Sequence, residues 1–140
     1  MNTKPLRTIA LTAVVLVSML AGMHALAQTN DMKSDLGNEK VGELPKGWTA
    51  THTGSGKESV WKIVEDADSP DSGKAIAQVS AENFGSFYSL CVADNTSFKD
   101  LDLSVSYKAV AGEEDQGGGP VWRYKDANNY YIARMNPLED

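Results

Sequence analysis

The chain has 140 residues and a formal net charge of −6, with 19 acidic against 13 basic side chains. An acidic protein is repelled by phosphate backbones, which disfavours nucleic acid as a partner. Cys91 is the only cysteine, so an internal disulfide is excluded. We expect Cys91 to be a small buried side chain, with pairing between molecules as the alternative.

The first 27 residues have the three parts of a secretory signal peptide. Lys4 and Arg7 precede an apolar run at 9–23, and Ala25-Leu26-Ala27 supplies the small-x-small cleavage site. The run of about 15 residues is shorter than the roughly 20 that span a membrane. We therefore predict cleavage after Ala27, a periplasmic or secreted location and no stable membrane insertion after cleavage. A retained anchor is the alternative.

A polar stretch and one domain follow the leader. Residues 28–43 carry few large apolar side chains, which predicts a flexible linker. The remaining length, 44–140, suits a single domain. In chain order, its first predicted strands are 48–53, 60–64, 74–80 and 87–93.

Residues 101–110 show the most regular alternation in the chain. Apolar side chains occupy every second position from Leu101 to Ala109, and polar side chains occupy the positions between them. A period of two predicts a strand with one buried and one solvated face, as in antiparallel sheets. The glycine-rich stretch that follows, at 111–119, is expected to be a surface loop.

The last predicted element is a hairpin with strands at 120–124 and 129–135. Asp126 and Asn128 lie in its connection, where such side chains favour turns. Six or seven short strands without a helical stripe predict an all-β, antiparallel β-sandwich. Because the chain stops just after a strand that the pattern places centrally, we expect this sandwich to be incomplete at its C-terminal end.

The hairpin sequence resembles that of a known group of sandwich domains. Residues 117–134, GGGPVWRYKDANNYYIAR, are similar to the glycine–aromatic–Arg, Asp-x-x-Asn-Tyr-Tyr-x-x-Arg hairpin of laminin-G-like and concanavalin-A-like domains. Among these, the chain most resembles exported bacterial proteins of the 3-keto-disaccharide hydrolase domain family. The opening Leu44-Pro45-x-Gly47-Trp48 also matches the start of such domains.

The resemblance implies a jelly-roll sandwich that binds sugars on its concave face or loops, and some relatives hydrolyse glycosides. It implies that Arg123 is the hairpin arginine, that Tyr131 is the aromatic residue of the next strand, and that Arg134 lies near a polar position. Ile132 stands where several hydrolase-like relatives have an acidic residue. That departure argues against hydrolysis.

The hairpin also has the chemistry of a sugar site. Sugars present apolar C–H faces, which suit aromatic rings, and a rim of hydroxyls, which suits Arg, Asn or Asp. The candidate ligand-binding residues are Trp122, Arg123, Asp126, Asn128, Tyr131 and Arg134.

Strict alternation around this turn predicts which side chains share a face. With Tyr124 opposite Tyr130, one face would hold Trp122, Tyr124, Tyr130 and Ile132, and the other Val121, Arg123, Tyr131 and Ala133. The alternative to a sugar site is that the first face is core, with Arg123 paired to a carboxylate across the sheet.

No motif for catalysis or metal binding can be built from the mature chain. Glu113-x-Asp115 begins the acidic pattern of one class of sandwich glycosidases, but Gly118 replaces its last Glu. The acidic stretch 65–71 offers oxygens for calcium but lacks the EF-hand spacing, so a solvated loop is favoured. We predict no catalytic residue, metal or cofactor, and an oligosaccharide or polysaccharide as partner. A glycoside or 3-keto-disaccharide hydrolase and a non-catalytic envelope protein with a protein partner are the alternatives.

Overall fold

The computed structural model describes residues 31–80, 87–113 and 115–139. The predicted signal peptide and its cleavage site lie outside these ranges. The chain divides into residues 1–32, of which only Asp31 and Met32 are described, and a compact unit of residues 33–140. Within the described ranges, no helix has the length and apolarity needed to cross a membrane.

The regular structure of the described residues consists of short strands. In chain order they are β1 (Trp48–Thr53), β2 (Trp61–Glu65), β3 (Lys74–Gln78), β4 (Tyr88–Ala93), β5 (Val121–Asp126) and β6 (Asn129–Ile132). They form three antiparallel pairs, β1 with β4, β2 with β3 and β5 with β6. The predicted all-β, antiparallel class is confirmed, and each of these strands overlaps a predicted one.

The β1–β4 pair joins distant parts of the chain in an unbroken register. Thr51 lies opposite Leu90, and His52 lies opposite Ser89. Directly opposed side chains share a face of the sheet. Leu90 is only 2% exposed, so its face is the buried one. His52 therefore belongs to the other face.

The β2–β3 hairpin holds the most buried side chain of the described chain. Ile63 is 0% exposed and lies opposite Ile76. Burying an isoleucine side chain contributes about 1.5–3 kcal/mol to folding. The backbone of Ile63 also donates to the carbonyl of Glu43 and accepts from the amide of Gly42, both at 2.8 Å. The centre of β2 is thus hydrogen-bonded to Gly42 and Glu43 and is also paired with β3.

Part of the stretch predicted as a linker makes ordered contacts with this hairpin. Leu36 is only 4% exposed, and its amide points at the carboxylate of Asp71 at 3.4 Å. The ammonium of Lys74 donates to the carbonyls of Gly37 and Glu39 at 2.9 and 2.7 Å. In this stretch the contacts are made by one leucine and by backbone groups. The polarity of its side chains therefore did not predict them.

The strand predicted at residues 101–110 is wrong. None of the described strands pairs with this segment. Leu101, Leu103 and Val105 are 46%, 44% and 56% exposed, whereas Tyr107 and Ala109 are half-buried. Alternation specifies an amphipathic extended segment, but a strand also requires a hydrogen-bonding neighbour.

Candidate functional site

The turn of the β5–β6 hairpin is closed by Asp126. Its carboxylate accepts the amide of Asn128 at 2.9 Å and the side-chain amide of Asn129 at 2.8 Å. The hydrogen bond from the Asn129 side chain lowers the pKa of Asp126, with a further contribution from the Asn128 amide. Two of the candidate sugar-binding residues, Asp126 and Asn128, therefore form the turn.

The hairpin contains a wide irregularity in its register. Trp122 lies opposite Tyr131, whereas Asp126 lies opposite Asn129. Between these pairs, three residues of β5 face the single residue Tyr130. Arg123, the first of the three, has a φ of 50°, the left-handed conformation that non-glycine residues rarely adopt. This β-bulge changes which side chains share a face.

The predicted sorting of the aromatic side chains is wrong because of this bulge. Trp122 stacks on Tyr131, with ring centroids 5.9 Å apart and planes 18° apart. Tyr124 stacks on Tyr130, at 6.3 Å and 29°. Neighbouring residues of a strand point to opposite faces, so Tyr130 and Tyr131 point apart. Each tyrosine takes one partner from β5, and Trp122 and Tyr124 no longer share a face.

The Tyr124–Tyr130 pair is attached to the first sheet. The hydroxyls of Tyr130 and Thr53 share a hydrogen bond of 2.7 Å, and the Thr53 hydroxyl also donates to the carbonyl of Ala127. Tyr124 and Tyr130 are both half-buried. This pair connects β1 to the hairpin. For these two rings, the structure fits the alternative in which they pack inward and do not bind a sugar.

Trp122 and Tyr131 form what we call the outer aromatic pair. Tyr131 is 61% exposed although it stacks on the half-buried Trp122. Arg123 follows Trp122 directly and is exposed. Its guanidinium makes no ion pair with the part of the chain that the structure describes. Among those residues, the expected cross-sheet carboxylate partner is therefore missing.

Arg134 is engaged away from the outer aromatic pair. It lies beyond the end of β6 and donates to Asp115 at 2.6 Å and to Glu139 at 2.8 Å. The charge of Asp115, followed by that of Glu139, raises the pKa of Arg134. Its guanidinium thus holds two carboxylates, and it lines a small cleft with Val105 and Met135.

The glycine run before β5 permits close approaches beside this cleft. A Cβ on Gly118 would overlap the ring of Tyr107, and a Cβ on Gly119 would overlap the carbonyl of Ala133. Gly118 also exchanges two backbone hydrogen bonds of 3.0 Å with Met135. The close packing therefore requires glycine at these two positions.

The acidic loop after β2 is bridged by a lysine. The Lys108 ammonium lies 3.0 Å from carboxylate oxygens of both Asp66 and Asp68. The hydrogen bond from Lys108 lowers the pKa of Asp66, and the same contact raises the pKa of Lys108. No group of three or more His, Cys, Asp or Glu side chains in the described ranges could hold a metal ion.

Cys91 lies in β4, opposite Ala50 of β1, and its thiol is free. Burial raises its pKa to about 11, with a smaller contribution from the charge of Asp94. Since the thiolate is the reactive form, a raised pKa lowers the fraction of reactive thiolate near neutral pH. The side chain is half-buried, so it is less buried than the sequence predicted.

A second group of polar residues was not found by sequence reasoning. Thr51 and His52 of β1 line a cavity of about 290 Å³ together with Glu58 and Ser59. Neither His52, the single histidine after the predicted leader, nor Ser59 belongs to a sequence motif. The shared cavity depends on how the β1–β2 connection folds back on β1, which has no local sequence signal.

No protein-family model matches the chain, and neither does any curated protein or solved structure.

Proposed function

We propose that this protein is an exported carbohydrate-binding module and that its outer aromatic pair stacks against a sugar ring of an oligosaccharide or polysaccharide. The observation that carries the proposal is the 61% exposure of Tyr131, whose ring stacks on Trp122. A large aromatic ring exposed on a strand presents an apolar face that the C–H face of a sugar can cover.

The geometry favours binding because the platform is ordered before the ligand arrives. Stacking on Trp122 restricts the Tyr131 ring, which reduces the conformational entropy lost on binding. Arg123 is exposed beside the pair without an ion-pair partner in the described chain. Its guanidinium supplies several donors for sugar hydroxyls.

Of the six candidate ligand-binding residues, we propose that Trp122, Arg123 and Tyr131 contact the sugar. Asp126 is occupied in the turn, and Arg134 is occupied by two carboxylates. We place these two residues, together with Asn128, in supporting positions. They hold the hairpin that presents the rings.

The same proposal includes the layering of the sheets as a jelly-roll-type sandwich and secretion by the leader. The three antiparallel pairs and the buried side chains Ile63 and Leu90 support the layering. The charged n-region, apolar run and cleavage site of residues 1–27 support export.

A hydrolase remains the alternative suggested by the family resemblance. Glycoside hydrolysis requires a carboxylic acid and a second carboxylate about 5–10 Å apart. Asp115 and Glu139 are neighbours through Arg134, but both form ion pairs with it. Binding without turnover of aryl glycosides or 3-keto-disaccharides would favour the module, whereas turnover would favour the enzyme.

Calorimetric titration of the purified protein with an oligosaccharide panel tests the proposal. We expect Tyr131→Ala to weaken binding about tenfold, corresponding to about 1.4 kcal/mol. Tyr88→Ala is the matched control, because Tyr88 is also an exposed strand tyrosine (42%) but lies in β4. It should bind as the wild type does.

Two outcomes would contradict the proposal. The first is that no glycan of the panel binds, and the second is that both tyrosine variants lose affinity equally. Capture of a periplasmic protein that is lost in Tyr131→Ala, without any glycan binding, would favour the protein-partner alternative.

A further inference from the structure

The cavity beside β1 has the features of a second, separate binding site. It is lined by Ala50, Thr51 and His52 of β1 and by Glu58 and Ser59 of the β1–β2 connection. Its volume of about 290 Å³ is at the lower end of the range for small-molecule sites. It shares no lining residue with the outer aromatic pair.

Two buried polar atoms at this cavity lack a hydrogen-bond partner in the described chain. Ser59 is only 8% exposed, and its hydroxyl is unpaired. The Nδ1 atom of His52 is also buried and unpaired. Buried polar groups in native proteins are nearly always satisfied, so each of these atoms is expected to have a partner that the described residues do not supply.

The two unpaired atoms do not satisfy each other. Neither Ser59 nor His52 forms the hydrogen bond that a serine–histidine nucleophile would require. The histidine ring is nevertheless fixed, because it stacks on Phe87 with centroids 4.5 Å apart and planes 22° apart. His52 therefore does not activate Ser59 as a nucleophile.

The charge of the cavity restricts the ligand class. Glu58 is the one ionisable carboxyl among its described lining residues, and those residues include no lysine or arginine. An anionic ligand would therefore meet the like charge of Glu58 without a lysine or arginine to compensate it. A hydroxyl group both donates and accepts, so it can pair with the Ser59 hydroxyl, with His52 Nδ1 in either tautomer and with the Glu58 carboxylate.

We propose that this cavity binds a small neutral polyol, such as a free monosaccharide or a sugar alcohol. Adjacent hydroxyls of the ligand pair with Ser59 and His52 in the interior and with Glu58, which is exposed at the rim. The site goes beyond the proposed glycan platform and does not depend on it. The two sites can be tested independently, because different residues form them.

Titration of the full chain with glycerol, glucose and myo-inositol, followed by NMR, tests this proposal. We expect saturable shifts of the His52 ring signals with at least one of these polyols. Ser59→Ala should weaken that binding about fivefold to tenfold, since one buried hydrogen bond is lost. Ser55→Ala, an exposed serine of the same connection, is the matched control and should change nothing.

Stability separates a binding role of Ser59 from a structural one. An unpaired hydroxyl contributes little to folding, so Ser59→Ala should melt at the wild-type temperature or above it. A marked decrease in melting temperature would indicate an internal partner and overturn the proposal. Glu58→Gln, at the exposed rim, provides a second variant that should weaken polyol binding without altering the fold.

Three further outcomes would overturn the proposal. These are no saturable binding of any of the three polyols, equal binding by wild type and Ser59→Ala, and tighter binding of acetate or phosphate than of polyols. Tyr131→Ala should retain wild-type polyol affinity at this site even if its glycan binding is lost.

Discussion

The β2–β3 and β5–β6 hairpins have strands of similar length but use their side chains differently. In β2–β3 the register is unbroken, and its central Ile63 is completely buried. In β5–β6 a bulge interrupts the register, and both Tyr131 and Ile132 of β6 are exposed, at 61% and 41%. The first hairpin contributes to the core, whereas the second presents its side chains at the surface.

Because of the bulge, one aromatic pair of the β5–β6 hairpin contacts β1 and the other is the outer aromatic pair. Without it, alternation would place Trp122 and Tyr124 on one face, and the hairpin would have one aromatic and one mixed side. With Arg123 in the left-handed region, Tyr124 and Tyr130 join the hairpin to β1, while Trp122 and Tyr131 form the outer aromatic pair. A local irregularity thus creates the surface that we assign to sugar binding.

The largest expected effect comes from truncating the core residue of the first hairpin. Ile63→Ala should lower the free energy of unfolding by about 2–5 kcal/mol, since it leaves a cavity around a fully buried position. Ile132→Ala, at an exposed strand position of the second hairpin, should lower it by less than about 1 kcal/mol. Urea denaturation followed by tryptophan fluorescence measures both values. Equal losses would remove the distinction between the hairpins.

The next effect distinguishes the two neighbouring tyrosines of β6. Tyr130→Phe removes the hydroxyl that bonds to Thr53 and should lower the free energy of unfolding by about 0.5–1.5 kcal/mol. Tyr131→Phe should leave it nearly unchanged, because that hydroxyl belongs to an exposed ring. Thermal melts of the two variants provide the comparison. A reversed order would mean that Tyr131 is the inward residue.

A smaller effect concerns the left-handed residue of the bulge. Arg123→Gly and Arg123→Ala both remove the guanidinium, but only glycine adopts a positive φ without a steric penalty. We expect the glycine variant to be more stable than the alanine variant by about 0.5–1 kcal/mol. Chemical denaturation of the pair tests the bulge directly. An alanine variant at least as stable as the glycine variant would contradict this backbone conformation.

The smallest expected effect on stability comes from the ion pairs between Lys108 and the loop after β2. Its ammonium lowers the pKa of Asp66, so the contact stabilises the fold above the ordinary carboxyl pKa of about 3.9. As the pH falls through the lowered pKa, Asp66 becomes protonated and the contribution is lost. Lys108→Met should therefore be slightly destabilising at neutral pH and neutral in strong acid. A pH-independent difference in melting temperature would show that the ion pair contributes nothing.

Local sequence patterns predicted the approximate positions of all six strands, including β1 and β4, which pair across a long stretch of chain. The positions of β1 to β4 follow from their composition, and the turn at Asp126 follows from its side-chain chemistry. The alternation at residues 101–110 was not sufficient to predict a strand, because alternation does not show whether a neighbouring strand exists. The prediction of a strand there treated an amphipathic pattern as sufficient.

The candidate site was predictable in its residue types but not in its geometry. Aromatic residues and arginines of the hairpin were identified, yet the pairing of Trp122 with Tyr131 depends on the backbone of Arg123. The ion pairs of Arg134 reach residues 19 and 5 positions away, which the local sequence pattern did not predict. The cavity at Ser59 is likewise a product of tertiary folding.

The most direct test of the sugar-binding account is an NMR titration that resolves the three indole signals. With a bound oligosaccharide, the Trp122 indole and the Tyr131 ring should shift and saturate together, whereas the indoles of Trp48 and Trp61 should remain in place. Shifts confined to Trp48 or Trp61, or no shift with any glycan, would contradict the assignment of the outer aromatic pair.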